Sequence, residues 1–290
     1  MSRARWVVLT PSQTEPEWRR RVADAAAAAG LKPVPWSAGL GPDILKDPKA
    51  VVLAQEMGHL RHFGETPDVV VLTDPESSVQ RLYQTVLAQF PQALWTASQI
   101  HAEACEAPAH VPVIGGAALP PGAPVTLWSG LTVAAPPLPP RPRGERAAAE
   151  VMSLYRHGRP AVGARVRIAP KLFLYDTRNP VTGPRFEVDL TGRPRIVVYG
   201  PYVTLPPGRW RAEAKVWIDD DAASIALGFD WGHHQQFDQH VEKPGKPGLH
   251  AVTMVNDWSE SASGEFRLVL MQGAIAGKAR LIEFDLEKIN

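Results

Sequence analysis

The chain has 290 residues, with 31 Lys and Arg against 30 Asp and Glu and a formal net charge of +1. A balance this close to neutral excludes a nucleic-acid binder that works through a broad basic surface. With 44% hydrophobic residues the chain can bury ordinary cores, its length suits about two domains, and a single cysteine, Cys105, excludes an intramolecular disulfide framework.

The opening Met-Ser-Arg-Ala-Arg leads into an apolar run too short for a signal-peptide core or a membrane span, so cytoplasmic synthesis and no membrane insertion are expected. Residues 6–10, 50–54 and 69–72 are uninterrupted apolar runs, the mark of strands buried on both faces. Thr14 and Glu17 have capping-box spacing at the start of a helix that Gly30 closes. Residues 31–36 carry two prolines, which confines them to an edge strand. After Asp74 and Pro75, the stripe Val79, Leu82, Tyr83, Val86, Leu87 and Phe90 predicts a helix ended by Pro91. Residues 93–96 and 111–114 are the expected last strands, and Cys105 falls in an alanine-rich helical pattern as a buried thiol. Strands alternating with helices predict a parallel, doubly wound α/β domain of Rossmann-like or flavodoxin-like type over residues 1–135.

Residues 136–144 form a proline-rich spacer and 145–155 a short helix, giving a linker over 136–160. From residue 165 the hydrophobic period changes to two. Runs at 165–168, 172–175, 186–190, 196–199, 209–219, 224–231, 249–255, 266–271 and 280–286 are punctuated by Pro and Gly. About eight strands of this kind make a jelly-roll or β-sandwich over 161–290. Gly200-Pro201 and Pro207-Gly208 are turn signals. Between 209 and 219 the alternation is strict: Trp210, Ala212, Ala214, Val216 and Ile218 share one face and charged residues the other, with Trp217 alone among the charges.

Tyr-Gly-Pro-Tyr at 199–202 and Leu-Pro-Pro-Gly-Arg-Trp-Arg at 205–211, followed by that alternating strand, resemble the carbohydrate-binding-like β-sandwich attached to bacterial polysaccharide-biosynthesis proteins. A weaker similarity is to head-spike proteins of alphaproteobacterial gene transfer agents, phage-like particles that bind capsular polysaccharide. The match covers about the last third of the chain and marks a fold more than a site. It implies non-catalytic recognition of a bacterial surface polysaccharide, with other structural proteins of a particle as further partners. The alternative is an enzyme or enzyme subunit of polysaccharide biosynthesis whose α/β domain binds a nucleotide sugar. Neither G-x-G-x-x-G nor G-x-x-x-x-G-K-[ST] is present, which weighs against that alternative, and no cofactor is expected.

Sugar recognition needs flat apolar faces beside directional donors and acceptors. The candidates on that criterion are Trp217, then Trp231, His233, His234, Gln235, Phe237, Asp238 and His240, and a polar loop Asn256, Asp257 and Trp258. A solvated loop at 233–240 and a Trp258 that caps the core are the plainer readings. Ala226, Gly228 and Asp230 leave room on one face of their strand for a groove or for close packing. His233, His234 and His240 with Asp238 offer a transition-metal set, though adjacent strand residues point apart. Asp219 and Asp221 are weak metal candidates in what is more simply an acidic turn.

Overall fold

The computed structural model describes residues 3–37, 39–85, 89–140, 146–176, 178, 186–234 and 236–290. The chain divides into two compact units, Met1–Pro160 and Ala161–Asn290.

The first unit contains β1 (Arg5–Leu9), α1 (Glu15–Ala28), β2 (Lys32–Pro35), α2 (Pro42–Lys46), β3 (Ala50–Ala54), α3 (Met57–Arg61) and β4 (Val69–Leu72). It continues through α4 (Pro75–Thr85), α5 (Phe90–Cys105), β5 (Val113–Gly115), β6 (Pro124–Trp128), β7 (Leu131–Ala134) and α6 (Arg146–Met152). The five strands β2-β3-β1-β4-β5 form a parallel sheet in that order, with the proline-bearing β2 on the edge. Val7, Leu9, Val51, Leu53, Val69 and Val71 pack under α1. On the other face Trp6, Val8, Val52, Val70 and Leu72 are also fully buried, against elements that include α3 and α5. Strands covered on both sides have no polar face to show, which is why their sequences are uniformly apolar.

Local details depart from expectation in instructive ways. The Thr14–Glu17 capping box does not form. Ser12 Oγ accepts from the Thr14 and Glu15 amides at 3.1 Å, and Arg20 and Arg21 hold the Glu17 carboxylate at 2.7 Å. At the other end of α1, Gly30 has φ +73°. Its N–H reaches Ala27 O and the Leu31 N–H reaches Ala26 O, a Schellman closure. Residues 93–96 are not a strand but the second turn of α5. Pro91 starts that helix rather than ending its predecessor, because the first turn has no acceptor for the N–H that proline lacks. Val86 and Leu87 lie outside the described residues. The β6–β7 hairpin was not foreseen; Val125, Leu127, Leu131 and Val133 complete the core beneath α1. α6 belongs to the first unit, while residues 141–145 of the expected linker lie outside the described ones. Cys105 is buried, as expected of the chain's single thiol.

The second unit contains β8 (Arg165–Arg167), β9 (Leu174–Tyr175), β10 (Glu187–Asp189), β11 (Arg195–Leu205), β12 (Gly208–Ile218), β13 (Leu227–His233), β14 (Gln236–Glu242), β15 (Gly248–Trp258), β16 (Ala262–Leu270) and β17 (Lys278–Lys288). They form two antiparallel five-stranded sheets: β10-β17-β12-β15 with β8 also on β17, and β14-β13-β16-β11-β9. Phe266 of the second sheet lies 5.1 Å from Phe284 of the first, and Trp231 lies 5.7 Å from the same ring, so the two sheets share one core. Gly200-Pro201 is not a chain reversal. It is a cis bond inside β11, where register shifts at Ile196/Val198 and Pro201/Val203 absorb the extra residues as bulges. β12 keeps the strict alternation read from its sequence, with Trp210 fully buried and its indole N–H donated to Pro206 O at 3.0 Å. On the outer side of the first sheet the charges pair off. Arg165 and Arg167 meet Asp285 at 3.0 Å, Lys215 meets Glu283 at 2.7 Å, and Arg211 meets Glu287 at 2.6 Å.

Candidate functional site

Most of the polar run singled out in the sequence ties the two sheets together. Trp231 and Trp258 are 1% and 3% exposed, with ring centroids 5.2 Å apart. Asn256, Asp257 and Trp258 are the last residues of the long strand β15 rather than a loop. Trp258 shares the inward parity of Val252 and Met254, and its indole N–H is donated to Ala262 O at 3.1 Å. His233 is buried against Trp258 at 4.8 Å and donates from Nε2 to Asp257 O at 3.0 Å. Asn256 Nδ2 donates to Trp231 O at 3.1 Å and Gln236 O at 2.9 Å, bridging β15 to the opposite sheet. Asp238 accepts the Val255 N–H at 3.1 Å, satisfying a donor on the edge strand β15. Gly232 is obligatory here: a Cβ would stand 1.9 Å from Gln236 O.

The remaining candidates scatter. His234 is exposed at φ +49°, and exposed His240 sits 3.2 Å from Glu242. Asp257 is exposed, 3.8 Å from Arg209, and Gln235 lies outside the described residues. His233, His234, His240 and Asp238 therefore do not converge, and among the described residues no cluster of three metal-ligating side chains occurs. Asp219 Oδ1 caps the Ala222 amide at 2.9 Å, the role of a turn residue, while Asp221 is exposed. Trp217 is half-buried, with the Arg280 guanidinium 5.3 Å from its ring and exposed Leu249 opposite it on β15.

What does assemble is the outer face of β14-β13-β16-β11-β9. Register places three rows across it. The central row is Gln239, Asp230, Arg267, Tyr199 and Leu174. One neighbouring row is Phe237, Gly232, Glu265 and Pro201, with Tyr202 bulged beside it; the other is Val241, Gly228, Val269 and Ile196. The Arg267 guanidinium lies 4.0 Å from the centre of the Phe237 ring. It also donates to Glu265 at 2.7 Å, and Glu265 in turn accepts the Tyr202 hydroxyl at 3.1 Å. Tyr199 and Tyr202 meet edge to face at 6.4 Å. Gly228 opens no groove, because Met271 Sδ fills its space at 2.8 Å from where a Cβ would stand. The strip of aromatic surface therefore runs along Phe237, Tyr202 and Tyr199, with charged groups set between the rings.

Burial pushes the Asp230 carboxyl above its ordinary range, and nearby Glu265 adds to this. Arg267 and a hydrogen bond from Gln239 oppose it. Burial, with help from Glu265, pushes the Tyr202 phenol up to about 12. Tyr202 is thus a neutral donor and acceptor at any working pH. The small residues sharing the Asp230 face predict room for a groove or for close packing, and the sequence candidates for sugar contact include neither Arg267 and Glu265 nor Tyr199 and Tyr202, the tyrosines standing only in the motif that marks the fold. The signal that finds Glu265 and Arg267 is alternation on β16, where they and Val269 interleave with the buried Phe266 and Leu268.

No known protein family and no curated protein matches the chain. Low-similarity likenesses exist among solved structures. One is the xylan-binding module CBM15, with TM-score 0.32, 9% identity, and 43% of this chain and 97% of that one covered. A second is CBM61 in complex with β-1,4-galactotriose, with TM-score 0.29, 11% identity, and coverage of 40% and 80%. A third is the C-terminal CBM6 of LamC, a marine laminarinase from Zobellia galactanivorans, with TM-score 0.28, 12% identity, and coverage of 43% and 99%. Among the described residues no helix is long and apolar enough to cross a membrane.

Proposed function

We propose that the second unit is a carbohydrate-binding β-sandwich of jelly-roll type that recognises a polysaccharide without catalysis on the outer face of β14-β13-β16-β11-β9. The observation that carries this reading is the juxtaposition of Phe237, Tyr199 and Tyr202 with Asp230, Arg267 and Glu265 on one strand-built surface. Ring faces take up the C–H side of a sugar while the charged and amide groups meet its hydroxyls. Because the donors and acceptors already hold one another, little ordering is needed on binding. The setting implied by residues 199–211 is a bacterial surface or capsular polysaccharide met by a spike of a phage-like particle.

Affinity electrophoresis of the whole chain through gels carrying bacterial capsular preparations and plant polysaccharides tests this. At least one glycan should retard the protein, and Tyr199→Ala combined with Phe237→Ala should remove the retardation while the fold survives. An unretarded wild type, or a retarded double variant, refutes the assignment.

A further inference from the structure

β14 ends one sheet of the second unit and pairs only with β13. The other sheet ends of this unit are short or engaged. β8 and β10 have three residues and β9 has two, while on the long β15 the Val255 N–H is taken by Asp238. β14 runs for seven residues in unbroken register with β13, and it contains no proline, no lysine and no bulge. Those devices ordinarily keep one sheet edge from meeting another. A charge on the inward side is a further such device, and Asp238 stands there. What Asp238 would meet across the edge therefore decides whether the edge is closed to a second strand.

Two residues separate β13 from β14, so His233 and Gln236 close the hairpin as a hydrogen-bonded pair. Alternation then directs the backbone N–H and C=O of Asp238, His240 and Glu242 toward β13, and those of Phe237, Gln239 and Val241 outward. Among the described residues no backbone group bonds to these three from outside. An antiparallel copy of β14 centred on Gln239 meets all of them. Gln239 faces its own copy, and Phe237 and Val241 face each other twice, with roughly six bonds in all.

The side chains match in the same register. Val241, 55% exposed, comes opposite the Phe237 ring. Asp238 comes opposite His240. Asp238 Oδ2 holds the Val255 N–H and His240 Nε2 sits 3.2 Å from Glu242, so Asp238 Oδ1 and His240 Nδ1 are left for each other. Glu242 comes opposite Gln236, a carboxylate facing an amide donor. Centring the pair on Asp238 instead sets Asp238 against its own copy, and centring it on His240 sets Asp238 against Glu242. Like charges directly opposite are destabilising, so only the register centred on Gln239 satisfies both backbone and side chains.

We infer that β14 pairs with β14 of a second copy of this chain across a two-fold axis at Gln239, joining two five-stranded sheets edge to edge. Pairing in the plane of the sheet leaves the outer face open and sets the two Phe237 rings roughly 14 Å apart along the strands. A polysaccharide bound as proposed above would meet two aromatic strips at once, but the pairing itself does not rest on that reading.

Sedimentation equilibrium of the whole chain, without glycan, should show a reversible species of twice the 31.6 kDa chain mass. A small interface suits a dissociation constant of about 1–100 μM. Gln239→Pro removes only an outward N–H, so the variant should fold yet dimerise about a hundredfold more weakly. His240→Asp, which sets like charges face to face, should also weaken the dimer, and adding Asp238→His should restore it. Gln239→Cys should cross-link on mild oxidation, because a hydrogen-bonded pair holds its Cα atoms about 5.5 Å apart; His240→Cys, roughly 8 Å from its copy, should not. The wild type, whose Cys105 is buried, is the control, and melting curves establish that each variant is folded. A chain that stays monomeric up to about a millimolar overturns the inference and leaves the edge to a strand of a different protein. So does a dimer untouched by Gln239→Pro, or cross-linking as ready through His240→Cys as through Gln239→Cys.

Discussion

Asn256 decides between two roles for the polar run at the end of β15. If it joins the sheets, Asn256→Ala removes donors to Trp231 O and Gln236 O and an acceptor for the Asp257 N–H at 2.7 Å. Trp231 lies in a strand buried at every position, so its carbonyl loses a donor in a dry place. A net loss of about 1 kcal/mol per bond, with more for the bond lost in that dry place, gives about 2–4 kcal/mol. For a unit of this size that lowers the melting temperature by roughly 8–16 °C, at about 4 °C per kcal/mol. Asn256→Asp, of equal shape, should be at least as harmful, because it turns an oxygen toward two carbonyl oxygens. Scanning calorimetry on both variants reads this directly. If Asn256→Ala melts within a degree or two of the wild type and polysaccharide binding disappears, Asn256 is a ligand residue and the tie between the sheets has been misjudged.

Other perturbations test neighbouring claims. Trp210→Ala, at a fully buried site, should cost about 3–5 kcal/mol, whereas Trp217→Ala on the outer side of the same strand should cost far less; equal losses in urea titrations would mean that Trp217 is covered. Asp230 has a raised pKa in the folded protein, so the native state holds its proton more tightly than the unfolded chain does. Stability from this group is therefore complete below the ordinary carboxylate range, about pH 4, and is lost as pH rises through the raised value. Asp230→Asn should accordingly melt higher than wild type at pH 7, with the gap closing at low pH; a variant less stable at pH 7 would show that the Arg267 attraction outweighs burial.

The sheet class of each half was legible because periodicity reports which faces are covered. β1, β3 and β4 are apolar throughout, while β12 and β16 alternate. Residues 93–96 misled because an alanine-rich apolar segment is silent about period, and Pro91 punctuates a start as readily as a stop. The site was less legible for a different reason. Hydrogen-bonding density in sequence marks His233 through His240 and Asn256, yet such groups serve equally to satisfy edge-strand backbone, as Asp238 does for Val255. The charged and aromatic groups of the outer face come from β11, β13, β14 and β16, which only strand order brings side by side. Arg267 reaches Phe237 across the position of Gly232, a proximity no spacing along the chain encodes.

The paired charges on the outer side of the β10-β17-β12-β15 sheet carry a further consequence. Arg165, Arg167, Lys215 and Arg211 stand among Glu213, Glu283, Asp285 and Glu287, four charges of each sign, so the surface is a row of small opposed dipoles. Such an array has strong fields within it and almost none at a Debye length, about 8 Å in physiological salt. A charged polymer drifting past that side would be neither drawn in nor turned, and its encounter rate there would hardly change with ionic strength. The molecule thereby has an electrically silent flank.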